Sequence, residues 1–160
     1  MINPDQLRIL LREENWTAVD ALLDNARDQA LTNDDLEDAA YWRVVALIRA
    51  RRYSEALDFL RKHAGWFNCQ SWVHHKCARI LIELGLEKDA LEELRKAPIE
   101  AEMEAFYGLA IDAKFTYLFL LARFGDPSVK ERFSEIPDDY QQIAIDGTFL
   151  TKADIISLLN

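Results

Sequence analysis

The chain has 160 residues, half of them apolar, with five Gly, four Pro, two Cys and a formal charge of −9. That length is one domain with enough apolar residues for a core, and few Gly and Pro among many Ala, Leu, Glu and Arg point to helix. The negative charge argues against a nucleic-acid partner, whose phosphates need a basic stripe, and two cysteines make no disulfide framework.

In chain order, "NPDQLRILLREE" opens with Asn3 as N-cap and Pro4 at the first helical position. "NWTAVDALLDNARDQAL" follows a tight turn, with Val19, Leu22, Leu23 and Ala26 in one apolar stripe. "TNDDLEDAAYWRVVALIRA" starts acidic, which suits a helix N-terminus. "RRYSEALDFLRKHAGW" caps near Ser54 and turns Ala56, Leu57 and Leu60 inward. The next helix begins between Asn68 and Ser71 and runs to Leu84, with Gly85 as its C-cap residue. "LEKDALEELRKAP" stops at Pro98. "IEAEMEAFYGLAIDAKFTYLFLLARFGD" reads as one long helix closed by Gly125. "PSVKERFSEIP" and "DDYQQIAIDG" read as two short helices, the second weaker. "LTKADIISLLN" begins with Thr151 three residues before Asp154, in the pattern of a capping box. No segment reads as a strand.

The acidity is uneven. Residues 1–80 carry eleven Lys/Arg against twelve Asp/Glu, and residues 81–160 carry eight against sixteen, so the second half holds −8 of the −9. Such a face is a solvated surface or an electrostatic lure for a cationic partner. Glu100, Glu102 and Glu104 form its densest cluster, placed to favour a helix N-terminus or to meet a Lys/Arg patch. The first residues hold no basic segment followed by an apolar run, so no secretory signal is expected. The longest apolar patch, "FTYLFLLARF", is too short to span a bilayer. The expected compartment is a reducing cytoplasm.

"WFNCQSWVHHKC", from Trp66 to Cys77, gathers both cysteines and two of the three histidines. Structural zinc takes four Cys or His ligands. On one helix His74 and Cys77 share a face, His75 points about 100° away, and Cys69 would have to reach in from the cap. There is no CxxC pair, so the stretch reads as core packing, with Cys77 as a small buried hydrophobe. Cys69 and Cys77 are ~12 Å apart along a helix, too far to bridge.

Three segments are alike: "REENWTAVDALLDNA", "RARRYSEALDFLRKHA" and "IELGLEKDALEELRKA". Aligned on Trp16, Tyr53 and Glu87 they recur at 37 and 34 residues. A period near 34 with two helices per unit resembles the tetratricopeptide repeat (TPR) family. The best match is "ARILIELGLEKDALEELRKAP", with Ala78, Gly85, Ala90, Leu94 and Ala97 where that repeat places its packing residues. The middle unit matches through Ala40, Tyr53, Ala56 and Leu60, while the first lacks the turn glycine. The resemblance implies an all-α array of about three or four antiparallel helix pairs over residues 1–135. Residues 136–160 then form a helical cap of the same domain. Stacked pairs bury a continuous core that one pair cannot. Trp16, Trp42, Phe59, Trp66, Phe67, Phe106, Phe115 and Phe119 supply its aromatic filling.

In that register Tyr41, Val45, Ile48 and Arg49 of one unit, and Trp72, His75, Arg79, Ile82 and Glu83 of the next, face the concave groove in which TPR-like proteins hold peptides. The alternative is a groove filled by a further helix pair or by the C-terminal tail. The Lys and Asn of the carboxylate-clamp variant are missing, since their positions hold Tyr41, Val45, His75 and Arg79.

No Gly-rich phosphate loop, GxSxG or HExxH pattern is present. The carboxylate pairs Asp34–Asp35, Glu92–Glu93 and Asp138–Asp139 read as solvated faces. The expectation is a non-catalytic protein-binding domain with no cofactor, no metal, and neither nucleic acid nor membrane as partner. A small acidic helical domain with degenerate repeats resembles bacterial immunity proteins, which mask a toxin, often a basic nuclease. The competing expectation is an adaptor or secretion chaperone gripping an extended peptide.

Overall fold

The computed structural model describes residues 2–144 and 147–160. Two compact units follow one another, Met1–Asn68 and Cys69–Asn160. The fold is all-α: the described residues form ten α-helices and one two-stranded sheet.

The first unit contains α1 (Pro4–Arg12), α2 (Trp16–Asp28), α3 (Asn33–Arg49) and α4 (Tyr53–Lys62), then a 3-10 turn over Ala64–Trp66. Local chemistry sets the starts. The Asn3 side chain accepts from the N–H groups of Asp5 and Gln6, with Pro4 at the first position as expected. Thr32 and Asp35 form a reciprocal capping box on α3. The expected cap at Ser54 is absent, because α4 begins one residue earlier and Arg52, which makes no side-chain cap bond, takes the N-cap position. The core gathers Leu7, Leu11, Val19, Leu23, Ala26, Ala39 and Ala46, with Trp16 and Trp42 packed at its edge.

The second unit contains α5 (Gln70–Glu83), α6 (Glu87–Arg95), α7 (Ile99–Glu102), α8 (Tyr107–Arg123) and α9 (Val129–Arg132). A 3-10 turn (Phe133–Glu135), β1 (Gln141–Ile143), β2 (Phe149–Thr151) and α10 (Lys152–Leu159) complete it. Helix α8 is its axis: it packs against α5, α6, α7 and α10. Phe115, Leu118 and Leu120 on α8 are fully buried. Asp154 accepts from the Thr151 N–H at 2.6 Å and the Thr151 hydroxyl at 2.9 Å, the capping pattern read from the sequence.

Two expectations are corrected. The stretch from Ile99 to Arg123 is not one helix. It breaks between Glu102 and Tyr107, which buries Ile99 and turns the Glu102 carboxylate onto the start of α5. "DDYQQIAIDG" is not helical over its described residues: β1 pairs antiparallel with β2, Gln141 opposite Thr151, Gln142 opposite Leu150 and Ile143 opposite Phe149. The pleat turns Gln142 inward and leaves Gln141 and Ile143 outside. Ile145 and Asp146, the end of that expected helix, lie outside the described residues.

One turn geometry recurs four times. Helices α1, α3, α5 and α8 each end in a residue of positive φ: Glu14 (54°), Arg51 (56°), Gly85 (74°) and Gly125 (72°). The following N–H then reaches back five residues: Asn15 to Leu10 O, Arg52 to Leu47 O, Leu86 to Leu81 O and Asp126 to Leu121 O, all within 2.8–3.0 Å. This is the Schellman closure. Its positions are spaced by 37, 34 and 40 residues. The first two copies hold a side chain where glycine is unstrained. Arg51→Gly therefore stabilises the protein by about 1 kcal/mol, and Gly85→Ala, where a Cβ would meet nothing within 4 Å, costs about the same through conformation alone. Urea midpoints moving in opposite directions check both.

Candidate functional site

In "WFNCQSWVHHKC" each candidate ligand has a separate partner. Cys69 and Cys77 are both buried free thiols. The Cys69 Sγ lies 3.4 Å from Glu102 Oε2, and burial, with the adjacent carboxylate, pushes the thiol up to about 11. His74 Nδ1 meets Glu93 Oε1 at 2.7 Å. His75 Nε2 meets Thr116 Oγ1 at 2.9 Å. Among the described residues no group of three or more His, Cys, Asp or Glu is placed to hold a metal ion.

The Glu102 carboxylate accepts from the N–H groups of Gln70 (2.8 Å) and Ser71 (2.7 Å). Burial alone would raise its pKa, but hydrogen bonds from Ser71, Gln70 and Cys69 outweigh burial and hold it below the usual carboxylate value. Helix α5 has no side-chain cap at Cys69, so Glu102 supplies the cap from about thirty residues away. Glu102→Gln keeps the shape and loses the charge at the helix N-terminus. It lowers stability by about 1–2 kcal/mol in chemical denaturation, with a lower cost at high salt.

Around His75 the second unit builds a closed polar chain. With Thr116 donating to Gln142 Oε1 at 2.8 Å, the imidazole donates through Nε2 to Thr116. Gln142 Nε2 donates to Asp112 O at 3.0 Å and to the Tyr140 hydroxyl at 3.2 Å, and Tyr140 donates to the Asp112 carboxylate. Burial, with Lys76 and Arg79 nearby, holds the His75 pKa well below 6.5, so the ring is neutral. Burial and Asp112 raise the Tyr140 phenol. Lys76 lies over the Trp72 ring at 5.6 Å, and burial, reinforced by Arg79, brings its amine down to about 8.

These contacts correct two groove residues. Trp72 (7% exposed) and His75 (2%) belong to the core, because α8 and β1 cover the His75 face of α5. Arg79 donates to Ile143 O at 2.6 Å, and with Glu83 it borders a cavity of about 70 Å³ that Thr116 and Gln142 also line. Tyr41 and Arg49, on α3 in the first unit, are exposed.

The acidic cluster is dispersed. Glu102 caps α5, and Glu100 lies 2.7 Å from the Lys114 amine, which also meets Glu135 at 2.9 Å. Burial pulls the Lys114 pKa down, but the two carboxylates outweigh it and the amine ends above the usual lysine value. Glu104 stays exposed.

Two features escape the sequence reading. The first is an apolar pair on the outer face of the hairpin: Ile143 is 56% and Phe149 61% exposed, directly opposite each other across the strands. The second is a cavity of about 270 Å³ in the first unit, framed by α2, α3, α4 and Trp66. The sequence did offer signals for both, a "TFLT" strand and a cluster of aromatics from Phe59 to Trp66.

No protein-family model, curated protein or solved structure matches this chain. No helix among the described residues is long and apolar enough to cross a membrane.

Proposed function

We propose that the chain is a non-catalytic, TPR-like protein-binding domain that docks a folded basic protein domain and neutralises it, as a cytoplasmic immunity protein does to its toxin. One observation carries the reading. The Ile143–Phe149 pair is an exposed aromatic–aliphatic anchor, and it stands on a unit that carries ten Lys/Arg against sixteen Asp/Glu. An apolar anchor inside an acidic field suits a cationic partner: the field steers the encounter and the anchor holds the complex. Asp139, exposed just before β1, brings negative charge to the hairpin in sequence, while its neighbour Asp138 is paired with Lys152. The recurring Schellman turns at 37 and 34 residues support the repeat resemblance. The adaptor reading is the weaker one, because Trp72 and His75 are taken up by the core.

The test is capture of partners from the producing cell with the tagged chain, in parallel with Phe149→Ala and Asp139→Lys variants. The expected result is one small basic domain that is held by the wild type and lost by at least tenfold on Phe149→Ala. Its association rate falls steeply as salt rises, and its toxicity in a host is relieved by co-expression of this chain. A partner held equally by all three proteins, or one held only in unfolded form, sinks the proposal.

A further inference from the structure

The cavity of the first unit has a composition that selects one kind of ligand. Its floor is apolar and low: Ala39 and Ala40, both buried, with Leu23 and Leu47. One wall is aromatic, with His63 and Trp66 rings 3.9 Å apart at 31° and Phe59 at 4.7 Å from His63. The rim carries three guanidinium groups, and each is already engaged. Arg43 meets Asp20 at 2.6 Å and Asp24 at 2.5 Å. Arg52 meets Asp20 at 3.1 Å and Glu55 at 2.7 Å. Arg27 meets Asp28 at 2.8 Å.

An anion entering this cavity would compete with the carboxylates that already neutralise these arginines, and a cation would compete with the arginines that already neutralise the carboxylates. Neither exchange gains a new charge pair. The paired guanidinium planes are held in place and remain good stacking surfaces. Two polar groups are left over, the Trp66 indole N–H and His63; the acceptor of the two is His63. It borders the cavity, its imidazole makes no hydrogen bond among the described residues, and burial, with Lys62 and Arg27, holds it below the usual histidine value and so neutral.

We propose that this cavity binds a planar, uncharged aromatic ring carrying one hydrogen-bonding group, a phenol or an indole, which stacks on Trp66 and bonds to His63. The ring arrives as a protein side chain or as a free small molecule. The cavity is lined wholly by residues between 23 and 66, so the proposal is independent of the docking surface on the hairpin and each can fail alone.

The probes are p-cresol and indole for the free ring, and N-acetyl-tyrosinamide and N-acetyl-tryptophanamide for the ring on a peptide backbone. Binding is followed by NMR shifts of the Trp66 indole N–H and the Ala39 and Leu23 methyls. Free rings should saturate those signals with Kd on the order of 1 mM, as suits fragments of this size. Benzoate and benzylamine should bind at least roughly tenfold more weakly, because their charge finds no vacant partner. Capped residues matching the free rings identify a protein side chain as the source, whereas free rings alone identify a small molecule. Trp66→Ala should weaken binding roughly tenfold, and His63→Phe should erase the preference for p-cresol over toluene. Ala40→Phe, which fills the floor, should abolish binding where it folds; Trp66→Ala decides where it does not. No shifts at these signals up to about 10 mM, binding unchanged in Trp66→Ala, or charged rings binding as well as neutral ones overturns the proposal.

Discussion

Truncation of Phe115 to alanine removes about 4 kcal/mol of stability and lowers the melting temperature by roughly 10–15 °C. Phe115 is the largest fully buried side chain, at the middle of α8. Its ring sits 5.0 Å from Tyr140, which the Asp112 carboxylate fixes in turn. No neighbour can collapse easily into the space. On one side the Tyr140–Gln142–Thr116 chain is hydrogen-bonded in place, and α8 itself is clamped by α5, α6, α7 and α10. The cost therefore falls toward the upper part of the range for aromatic truncations. Phe115→Leu, which keeps most of the volume, should cost well under half as much. Urea denaturation of the three proteins measures this. A loss below about 1 kcal/mol for the alanine variant would show that α8 is not the axis of the second unit.

Acidification from pH 7 to pH 5 costs up to about 2 kcal/mol through His75 alone. The folded protein holds this ring neutral, its pKa pushed well below 6.5 by burial first and then by Lys76 and Arg79. Below pH 6.5 the unfolded chain binds a proton that the folded chain refuses, so stability falls with falling pH by up to about 1.4 kcal/mol per unit. The loss begins near 6.5 and continues toward the depressed folded value. The neighbours named above do not reverse the sign: Asp112 is engaged by Tyr140, and Lys76 and Arg79 are cationic. Half-buried His63, also lowered, adds a smaller contribution in the same direction. Glu102, Glu135 and Asp154 have lowered values and lose their stabilisation only further down, below the carboxylate range of the unfolded chain. His75→Gln keeps a donor toward Thr116 and removes the titration. At pH 7 it should be about 1 kcal/mol less stable than wild type, and at pH 5 equal or better. Unfolding curves at several pH values measure the crossover, and parallel pH profiles would refute it.

What could be read in advance follows how local each device is. Asn3 with Pro4, Gly85, Gly125, and Thr151 with Asp154 act within a few residues, and their chemistry is visible in the letters. Glu14 and Arg51 take the same left-handed turn without the residue that announces it, so the first repeat looks poorer than its backbone is. The break between Glu102 and Tyr107 contains no helix breaker. It goes with the long-range contact of Glu102 at the start of α5, which sequence periodicity does not carry. The sequence pattern that places His75 and Trp72 on a groove reads the same when that face meets a core, and here it meets the core. The hairpin is hidden in the sequence because "QQIA" is short and polar enough to pass for a helix end. The rim of the first-unit cavity draws its arginines from α2, α3 and the start of α4, so no spacing in the sequence reveals it.

The remote cap on α5 has a consequence for the order of folding. The turn at Gly85 closes with a contact five residues apart, so the C-terminal end of α5 can be completed with α6 as soon as residues 81–86 are in place. The N-terminal end has no cap of its own and waits for a carboxylate that arrives some thirty residues later. The helix that carries "WVHHKC" is therefore expected to form from its far end backwards, with the Gln70 and Ser71 amides the last to gain protection in pulse-labelling hydrogen exchange. Its first turn frays until α7 docks, and the loop between Ser71 and Glu102 must close before the strongest bonds at that turn can form. The same seating governs the Cys69 thiol, which burial and the Glu102 carboxylate together hold in its unreactive protonated form.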